Sequence, residues 1–186
     1  MSVKMLGRIF CVVKVFMLRL KFGKRLEIKP GRQIIRADTE ITIGKDARLS
    51  IDSINVNTNV HLECKRGEMK LGRGVILNRN CIIACRHKIT IGDNCLFGPN
   101  VCIYDHDHLY DSNGVSPDKF KCSEIIIEDS CWIGANAVIL RGTHIGKNSV
   151  IGAGIVVNGS IPSNSLVLSV KETRAIPINF FTTKCK

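Results

Sequence analysis

The sequence is poor in aromatic residues and has no long apolar run that is free of charge. Seven Phe, two Tyr and one Trp make up 5% of its 186 residues, so the core must be built from Ile, Val, Leu, Ala and Cys. Lys14 and Arg19 interrupt the most apolar stretch, which excludes the ~20-residue span of a typical transmembrane helix. No small-x-small cleavage site follows, so no secretion signal is expected. The length favours a single domain.

Paired cysteine spacings are missing as well. Nine cysteines, an odd number, lie between Cys11 and Cys185, and the nearest approach to a zinc spacing is Cys81-x3-Cys85, which lacks a second pair. In a chain without a secretion signal, this pattern predicts reduced thiols in a cytoplasmic protein and no metal site.

The positive charge is unevenly distributed along the chain. The net charge is +11, but residues 1–36 contain ten basic residues against one acid, Glu27, whereas residues 37–186 contain 17 basic and 15 acidic residues. Most of the charge therefore belongs to a short leader, and the body is nearly neutral. Because no stacking aromatic residues accompany the basic run, nucleic acid is not an expected partner.

The leader has the pattern of an amphipathic helix. At ~100° per residue, one arc is apolar and the opposite side is basic. The apolar arc contains Met5, Ile9, Val12, Val13, Phe16 and Leu20, and the basic side contains Lys4, Arg8, Lys14, Arg19, Lys21 and Arg25. Two interpretations are open. The helix lies on an anionic membrane surface, or it is a cap that packs its apolar arc on the main domain and leaves its charges in water.

A six-residue repeat dominates the body of the chain. An aliphatic residue or Phe recurs every six positions and is often followed by a small or polar residue. The longest run is Ile127, Ile133, Ile139, Ile145, Ile151 and Val157, and shorter runs are Ile43 and Leu49, then Leu71, Leu77 and Ile83, then Ile91, Phe97 and Ile103. The period predicts an all-β solenoid, in which three short strands form a triangular coil of roughly 18 residues and the coils stack in parallel.

Compact residues, corner residues and one interruption complete the repeat. Cys81, Cys95 and Cys131 stand at inward-facing positions and are expected to act as small core residues. Gly, Asn and Asp after the aliphatic residues are expected to supply positive φ at the corners. The polar segment 104–124 breaks the repeat, and we interpret it as a functional loop. The predicted units are a leader or cap helix (1–36), the solenoid (37–168) and a tail (169–186).

Several motifs resemble those of the left-handed parallel β-helix acyltransferases. They are Gly92-Asp93-Asn94, Gly98-Pro99-Asn100-Val101, the His-bearing loop, Cys131-Trp132-Ile133-Gly134 and Asn148-Ser149-Val150-Ile151-Gly152-Ala153-Gly154. The likeness is strongest to the galactoside, maltose and nodulation-type O-acetyltransferases and to the capsule and lipopolysaccharide O-acetyltransferases. It covers residues 70–165 strongly and 37–70 weakly. The resemblance implies a left-handed parallel β-helix with an N-terminal amphipathic helix and a protruding active-site loop.

The resemblance also implies the catalytic residues. The family's general base matches His108, which would take a proton from a sugar hydroxyl as that oxygen attacks the thioester of acetyl-CoA, with no acyl-enzyme. His106 is the rival base. Asn78 matches a position that contacts the acceptor and stabilises the oxyanion, and a purely structural corner Asn is the alternative.

Cofactor and acceptor contacts follow from the same resemblance. The implied CoA-binding positions are Trp132, Ala135, Ala153, Asn158, Gly159, Lys171 and Arg174. Asn158-Gly159 stands where the family more often has Thr-Lys, and the usual tail signature is absent around Lys171 and Arg174. Arg86 replaces an acidic acceptor contact, which favours an acidic or phosphate-linked acceptor. Asp105 is expected to contact the acceptor. Asp105 or Asp107 is otherwise expected to orient an imidazole, and a solvated loop carboxylate is the alternative.

The implied function is an acetyl-CoA-dependent O-acetyltransferase that acts on a sugar hydroxyl of a surface polysaccharide, a lipopolysaccharide or a nucleotide- or lipid-linked precursor. The family's homotrimers form their sites between adjacent subunits. The alternatives are N-acetylation of an amino sugar, and a non-enzymatic β-helix scaffold with a membrane-binding leader. The expected location is the cytoplasm, with peripheral contact at the inner face of the membrane if the leader binds lipid.

Overall fold

A computed structural model describes residues 3–112 and 114–169, with side chains from Ile9 onward. The chain begins with helix α1 (Val3–Phe22) and a 3-10 turn (Gly23–Arg25). The chain then forms a solenoid whose short strands belong to three parallel sheets, A, B and C, of seven, seven and six strands. A two-stranded antiparallel sheet projects from them.

The strands of each parallel sheet come from successive coils of the chain. Sheet A contains β1 (Leu26–Ile28), β4 (Ala47–Ile51), β7 (Gly67–Leu71), β10 (Lys88–Ile91), β15 (Ile125–Ile127), β18 (His144–Ile145) and β21 (Ser160–Ile161). Sheet B contains β2 (Ile34–Ile35), β5 (Ile54–Val56), β8 (Val75–Leu77), β11 (Leu96–Phe97), β16 (Trp132–Ile133), β19 (Val150–Ile151) and β22 (Leu166–Val167). Sheet C contains β3 (Glu40–Ile43), β6 (His61–Cys64), β9 (Ile82–Cys85), β12 (Cys102–Tyr104), β17 (Val138–Leu140) and β20 (Val156–Val157).

The repeat residues stack above one another inside the prism. Ile133 pairs with Ile151 and Ile139 with Val157, eighteen positions further on, and the aliphatic repeat positions are buried. Cys81, Cys95 and Cys131 are buried among them. The all-β parallel solenoid predicted from the six-residue period is confirmed, and its form is consistent with the left-handed β-helix.

Coil length explains why the repeat loses phase in the first half of the sequence. Leu62 pairs with Ile83, 21 positions on, whereas Ile151 pairs with Val167, 16 positions on. The early coils contain the five-residue strands β4 and β7, and the late coils contain two-residue strands. The side chains keep their register across the coils although the number of residues per coil changes.

In the corners of the Gly-x-Asn type, asparagine and not glycine has the positive φ. Asn94, Asn136 and Asn148 have φ between 56° and 58°, whereas Gly92, Gly134 and Gly146, which precede them in each corner, are not among the positive-φ residues. A Cβ on Gly134 would lie 2.6 Å from the backbone nitrogen of the next coil's Ala153. The expected role of these glycines is therefore corrected: they are needed because neighbouring coils approach closely, and Asn tolerates the left-handed conformation.

The corner asparagines also bond to one another along the prism. The side-chain amide Nδ2 of one Asn donates to the Oδ1 of the Asn in the next coil. The pairs are Asn59 to Asn80 (3.0 Å), Asn80 to Asn100 (2.9 Å) and Asn100 to Asn136 (2.9 Å). The left-handed corners require these asparagines, and the ladder satisfies the hydrogen-bonding groups of their side chains.

Helix α1 lies on the open end of the solenoid, but it does not use the face that the sequence indicated for a cap. Val15 and Leu18 pack against the core, and Phe22 is buried. Lys14 and Arg19, which we expected in water, bond to backbone carbonyls of the first coils. Within the described residues, no helix is long and apolar enough to span a membrane.

The polar interruption is a hairpin. Strands β13 (His106–Asp111) and β14 (Gly114–Cys122) pair in antiparallel fashion, with His108 opposite Phe120. At the N-terminal end, the helix ends at Phe22, and β1 and β2 already belong to the solenoid, so the predicted leader 1–36 overlaps the solenoid. Residues 170–186, which make up nearly all of the predicted tail, lie outside the described residues.

Candidate active site

The hairpin rises from the edge where sheet C turns into sheet A, called here the CA edge. Arg86 follows β9, Asp105 follows β12 and Arg141 follows β17 at this edge. Because the strands of sheet C pair in register, these three corners stack in successive coils. The two loop histidines therefore emerge beside two arginines.

Asp105 is the structural centre of the CA edge. It is fully buried, and its carboxylate accepts backbone N–H bonds from Arg86, His87 and Lys88 at 2.7–3.1 Å. Burial acts to raise the pKa of Asp105, but the bonds from His106 and the backbone outweigh it and hold the pKa below its usual value. The structure thus places the Asp105 carboxylate against three backbone N–H groups and the imidazole of His106.

The imidazole that Asp105 orients is that of His106. Its Nδ1 lies 2.9 Å from Oδ1 of Asp105. An ionised carboxylate only accepts hydrogen bonds, so Nδ1 carries the proton, and in the neutral ring Nε2 is the acceptor. The His106 side chain is 13% exposed, and its ring makes an edge contact with Phe120, with centroids 5.4 Å apart.

His108 is more exposed and is held by the opposite strand of the hairpin. Its Nδ1 lies 2.9 Å from the backbone carbonyl oxygen of Ser116. Since a carbonyl oxygen only accepts, Nδ1 is the donor, and Nε2 of the neutral ring has a free lone pair. The ring also contacts Phe120, with centroids 4.5 Å apart. This arrangement fixes the tautomer that a general base requires.

Phe120 is a platform between the base candidates and Arg86. The Arg86 guanidinium carbon lies 3.6 Å from the centroid of the Phe120 ring, a cation–π distance. Its Nε is buried and has no hydrogen-bond acceptor in the described part of the chain. Nearby, Arg141 is paired with the Asp107 carboxylate.

A second group of predicted residues lies at a different edge, where sheet B turns into sheet C, called here the BC edge. Asn78 follows β8, and Ala135 and Ala153 lie in the corners after β16 and β19. The amide nitrogens of Asn78, Gly98 and Gly134 each bond to the carbonyl of the next coil, which stacks these corners. The Asn78 Oδ1 accepts a hydrogen bond from the backbone N–H of Arg79 at 2.8 Å. An oxyanion needs a hydrogen-bond donor, and in this side chain the donor is the Nδ2 group.

The other predicted cofactor contacts do not share one place on the solenoid. Trp132 is 54% exposed on the outer face of sheet B, in register with Leu96 and Val150. Asn158 and Gly159 follow β20 at the CA edge. Lys171 and Arg174 lie outside the described residues. The fold thus brings His108 and Arg86 together, and it groups Asn78 with Ala135 and Ala153.

Three contributors to the CA edge were not found from the sequence: Ser116, Phe120 and Arg141. Their contacts depend on the hairpin register, which pairs His108 with Phe120. One signal was available, because Phe120 is the only aromatic residue in the β14 segment. In the described residues, no cluster of three or more His, Cys, Asp or Glu side chains has the arrangement of a metal site.

Known proteins share this repeat and its motifs. The family profile described as the hexapeptide repeat of succinyl-transferase matches residues 88–103 and 124–158. A galactoside O-acetyltransferase of Lactococcus lactis is 40% identical over 98 residues, which is 50% of this chain and 45% of that protein. A putative lipopolysaccharide biosynthesis O-acetyl transferase of Escherichia coli is 36% identical over 115 residues, 53% of this chain and 59% of that protein.

A solved structure extends the likeness to most of the chain. It is a hexapeptide-repeat containing acetyltransferase from Vibrio cholerae, complexed with acetyl coenzyme A, with 26% identity and a TM-score of 0.58 over 83% of this chain and 71% of that one. In both sequence and fold, the chain is similar to hexapeptide-repeat acetyltransferases. The chain spans about half the length of the curated relatives that it matches.

Proposed function

We propose that this protein transfers the acetyl group of acetyl-CoA to a sugar hydroxyl, with His108 as the general base. The observation that carries the proposal is the bond from His108 Nδ1 to the Ser116 carbonyl oxygen, because it leaves Nε2 as a proton acceptor at the base of an open hairpin. Galactoside and lipopolysaccharide O-acetyltransferases among the relatives support a sugar acceptor.

The reaction needs only one proton acceptor and a donor for the oxyanion. His108 Nε2 takes the proton of the sugar hydroxyl as its oxygen attacks the thioester carbonyl of acetyl-CoA. The Nδ2 group of Asn78 donates to the oxygen of the tetrahedral intermediate. The C–S bond then breaks, and the thiolate of CoA leaves and receives the proton from the imidazolium. No acyl-enzyme forms, so the cysteines take no part.

Arg86 favours an acceptor that carries negative charge. The guanidinium lies over the Phe120 ring, and the backbone N–H of Arg86 bonds to Asp105. A carboxylate or phosphate oxygen is the acceptor to which a guanidinium bonds most strongly. A polysaccharide with uronic acids, a lipopolysaccharide, or a nucleotide- or lipid-linked sugar has this chemistry.

The direct test is an acceptor screen with isotopically labelled acetyl-CoA. Products are read by mass spectrometry, because nine protein thiols would complicate a thiol-release assay. We expect label in an ester on an anionic glycan or a charged sugar precursor, and weaker transfer to the matched neutral sugar. Transfer only to amino sugars would replace the O-acetylation proposal with N-acetylation. Absence of acetyl-CoA binding in calorimetry would refute the proposal that the protein is an acetyltransferase.

The two edges support an active site shared between copies of the chain. The base and Arg86 lie at the CA edge, whereas Asn78, Ala135 and Ala153 lie at the BC edge of the same triangular prism. Separate edges of one prism face different directions, so a complete site needs the CA edge of one protomer against the BC edge of its neighbour. A closed trimer satisfies this requirement for all three copies.

Mixed oligomers provide a test of the shared site. When His108→Ala and Asn78→Ala chains are co-expressed in equal amounts, random assembly should join two intact edges in about a quarter of the sites, so acetyl transfer should recover to about a quarter of the wild-type rate. Each variant alone should be nearly inactive.

The matched control mixes two variants of the same edge, His108→Ala and Arg86→Ala. Here every site has a damaged CA edge, so the rate should equal the average of the two separate rates. Equal recovery in both mixtures, or none in either, would contradict a site built from the CA edge of one protomer and the BC edge of another.

A further inference from the structure

Helix α1 is attached to the solenoid through polar side chains as well as apolar ones. The Lys14 ammonium donates to the backbone carbonyls of Arg36, Ala37 and Thr39 at 2.6–2.8 Å. Arg19 donates to the carbonyl of Ile28 at 2.8 Å. These carbonyls belong to the first coil, at the open end of the stack. Two basic side chains therefore satisfy carbonyls there, and they fix the face that α1 presents to the solenoid.

The opposite face of α1 is apolar, and nothing in the described part of the chain covers it. This exposed strip consists of Ile9, Val12, Val13, Phe16 and Leu20. Val12 is 70% exposed, Phe16 is 60% exposed and Leu20 is 67% exposed. A row of large apolar side chains along one helix is not expected to face water unless it meets a partner.

Basic residues surround the strip. The described residues 9–36 contain eight Lys and Arg residues and one acid, Glu27. Lys21 and Lys24 follow the strip and are exposed, and Arg32 and Arg36 are exposed on the coil beside the helix. A surface with an apolar centre and a basic margin is complementary to a bilayer with anionic headgroups, because acyl chains cover the apolar part and headgroups neutralise the margin.

A groove beside the helix has the same character. It lies between α1 and the segment that leads into β2, and its volume is about 1230 Å³. Phe10, Val15 and Ile34 form part of its apolar lining, and Arg32 and Arg36 also line it. The apolar surface thus continues from the strip into the end of the solenoid.

We propose that the exposed strip of α1, with its basic margin, docks the protein on an anionic phospholipid membrane. The solenoid holds α1 in place through Lys14 and Arg19, so the strip is already arranged before it meets the bilayer. The helix lies along the membrane surface, and the N-terminal end of the solenoid faces the lipid. Docking does not depend on acetyl transfer.

The test is co-sedimentation of the full chain with vesicles of phosphatidylcholine alone or with one third phosphatidylglycerol. We expect binding to the anionic vesicles and at least tenfold weaker partitioning to the neutral ones. The variant Val12→Ser/Phe16→Ser/Leu20→Ser should lose at least tenfold in partitioning. Lys21→Glu/Lys24→Glu should lose a similar amount, since each basic residue near an anionic surface contributes roughly fivefold.

Two matched controls separate the strip from general properties of the chain. Val156→Ser/Leu166→Ser/Leu168→Ser removes three equally exposed apolar side chains from the other end of the solenoid. Lys119→Glu/Lys121→Glu makes the same charge change on the exposed residues of β14. Both controls should bind anionic vesicles like the wild type, and circular dichroism checks that every variant is folded.

Three outcomes would overturn the proposal. The first is absence of wild-type binding to anionic vesicles, and the second is unchanged binding by the strip variant. The third is a smaller oligomer mass for the strip variant in light scattering. That result would identify the strip as a contact between copies of the chain. Vesicle binding is measured without acetyl-CoA or acceptor. Its result therefore does not depend on whether the proposed enzymatic function is correct.

Discussion

The variant His108→Ala should lower the rate of acetyl transfer by at least ~100-fold, because the sugar hydroxyl then loses its proton acceptor. The affinity for acetyl-CoA, measured by calorimetry, should change little, since the imidazole acts on the acceptor. His108 lies on an exposed hairpin strand, with its main fixed contacts to Ser116 and Phe120, so the fold should tolerate the change.

His106→Ala is the comparison that identifies the base. Both rings have a free Nε2, but His106 is more buried and is bonded to Asp105. If His108 is the base, His106→Ala should lower stability more than His108→Ala does and should retain most of the turnover of the folded protein. The reverse order of turnover losses would assign the base to His106, and it would remove the role that we propose for His108.

The variant Asp105→Ala should lower the free energy of unfolding by about 3–5 kcal/mol, as measured by urea unfolding. The substitution leaves the backbone N–H groups of Arg86, His87 and Lys88 without their shared acceptor. Asp107→Ala is the matched control two residues away. Its carboxylate is partly exposed and paired with Arg141, so its loss should cost less than about 1 kcal/mol. Equal losses would contradict the central role of Asp105.

The same carboxylate makes stability depend on pH. The pKa of Asp105 is lower in the folded protein than its ordinary value. Its contribution is therefore complete above the unfolded-state pKa of about 3.9 and is lost as the pH falls through the lower folded value. Asp105→Asn keeps one oxygen acceptor but cannot ionise, so the difference in stability between wild type and variant should shrink in that acidic range.

The core was predictable from the sequence because a solenoid repeats the same packing arrangement in each coil. Each coil must bury an aliphatic residue above the previous one, so Ile133, Ile139 and Ile145 reveal the period directly. The corners were only partly predictable. Gly134 and Asn136 are both typical corner residues, but a sequence does not show which one has positive φ and which one contacts the next coil.

The helix and the hairpin show what a period cannot reveal. A helical projection separates apolar from basic residues, yet Lys14 faces the solenoid because open-end carbonyls need donors. In the hairpin, the platform depends on a strand register that places Phe120 opposite His108. The predicted candidates His108 and Arg86 lie at one edge, but the supporting contacts of Ser116 and Phe120 arise from tertiary pairing.

Buried cysteines at several heights give the solenoid an internal series of chemical labels. Cys64, Cys81, Cys95 and Cys131 are free and buried at different heights along the prism, and burial raises the pKa of the Cys81 thiol to about 11. An alkylating reagent reaches such a thiol only when its coil opens. Peptide mapping after brief alkylation would therefore record the order in which the coils separate, and no cysteine would have to be introduced by mutation.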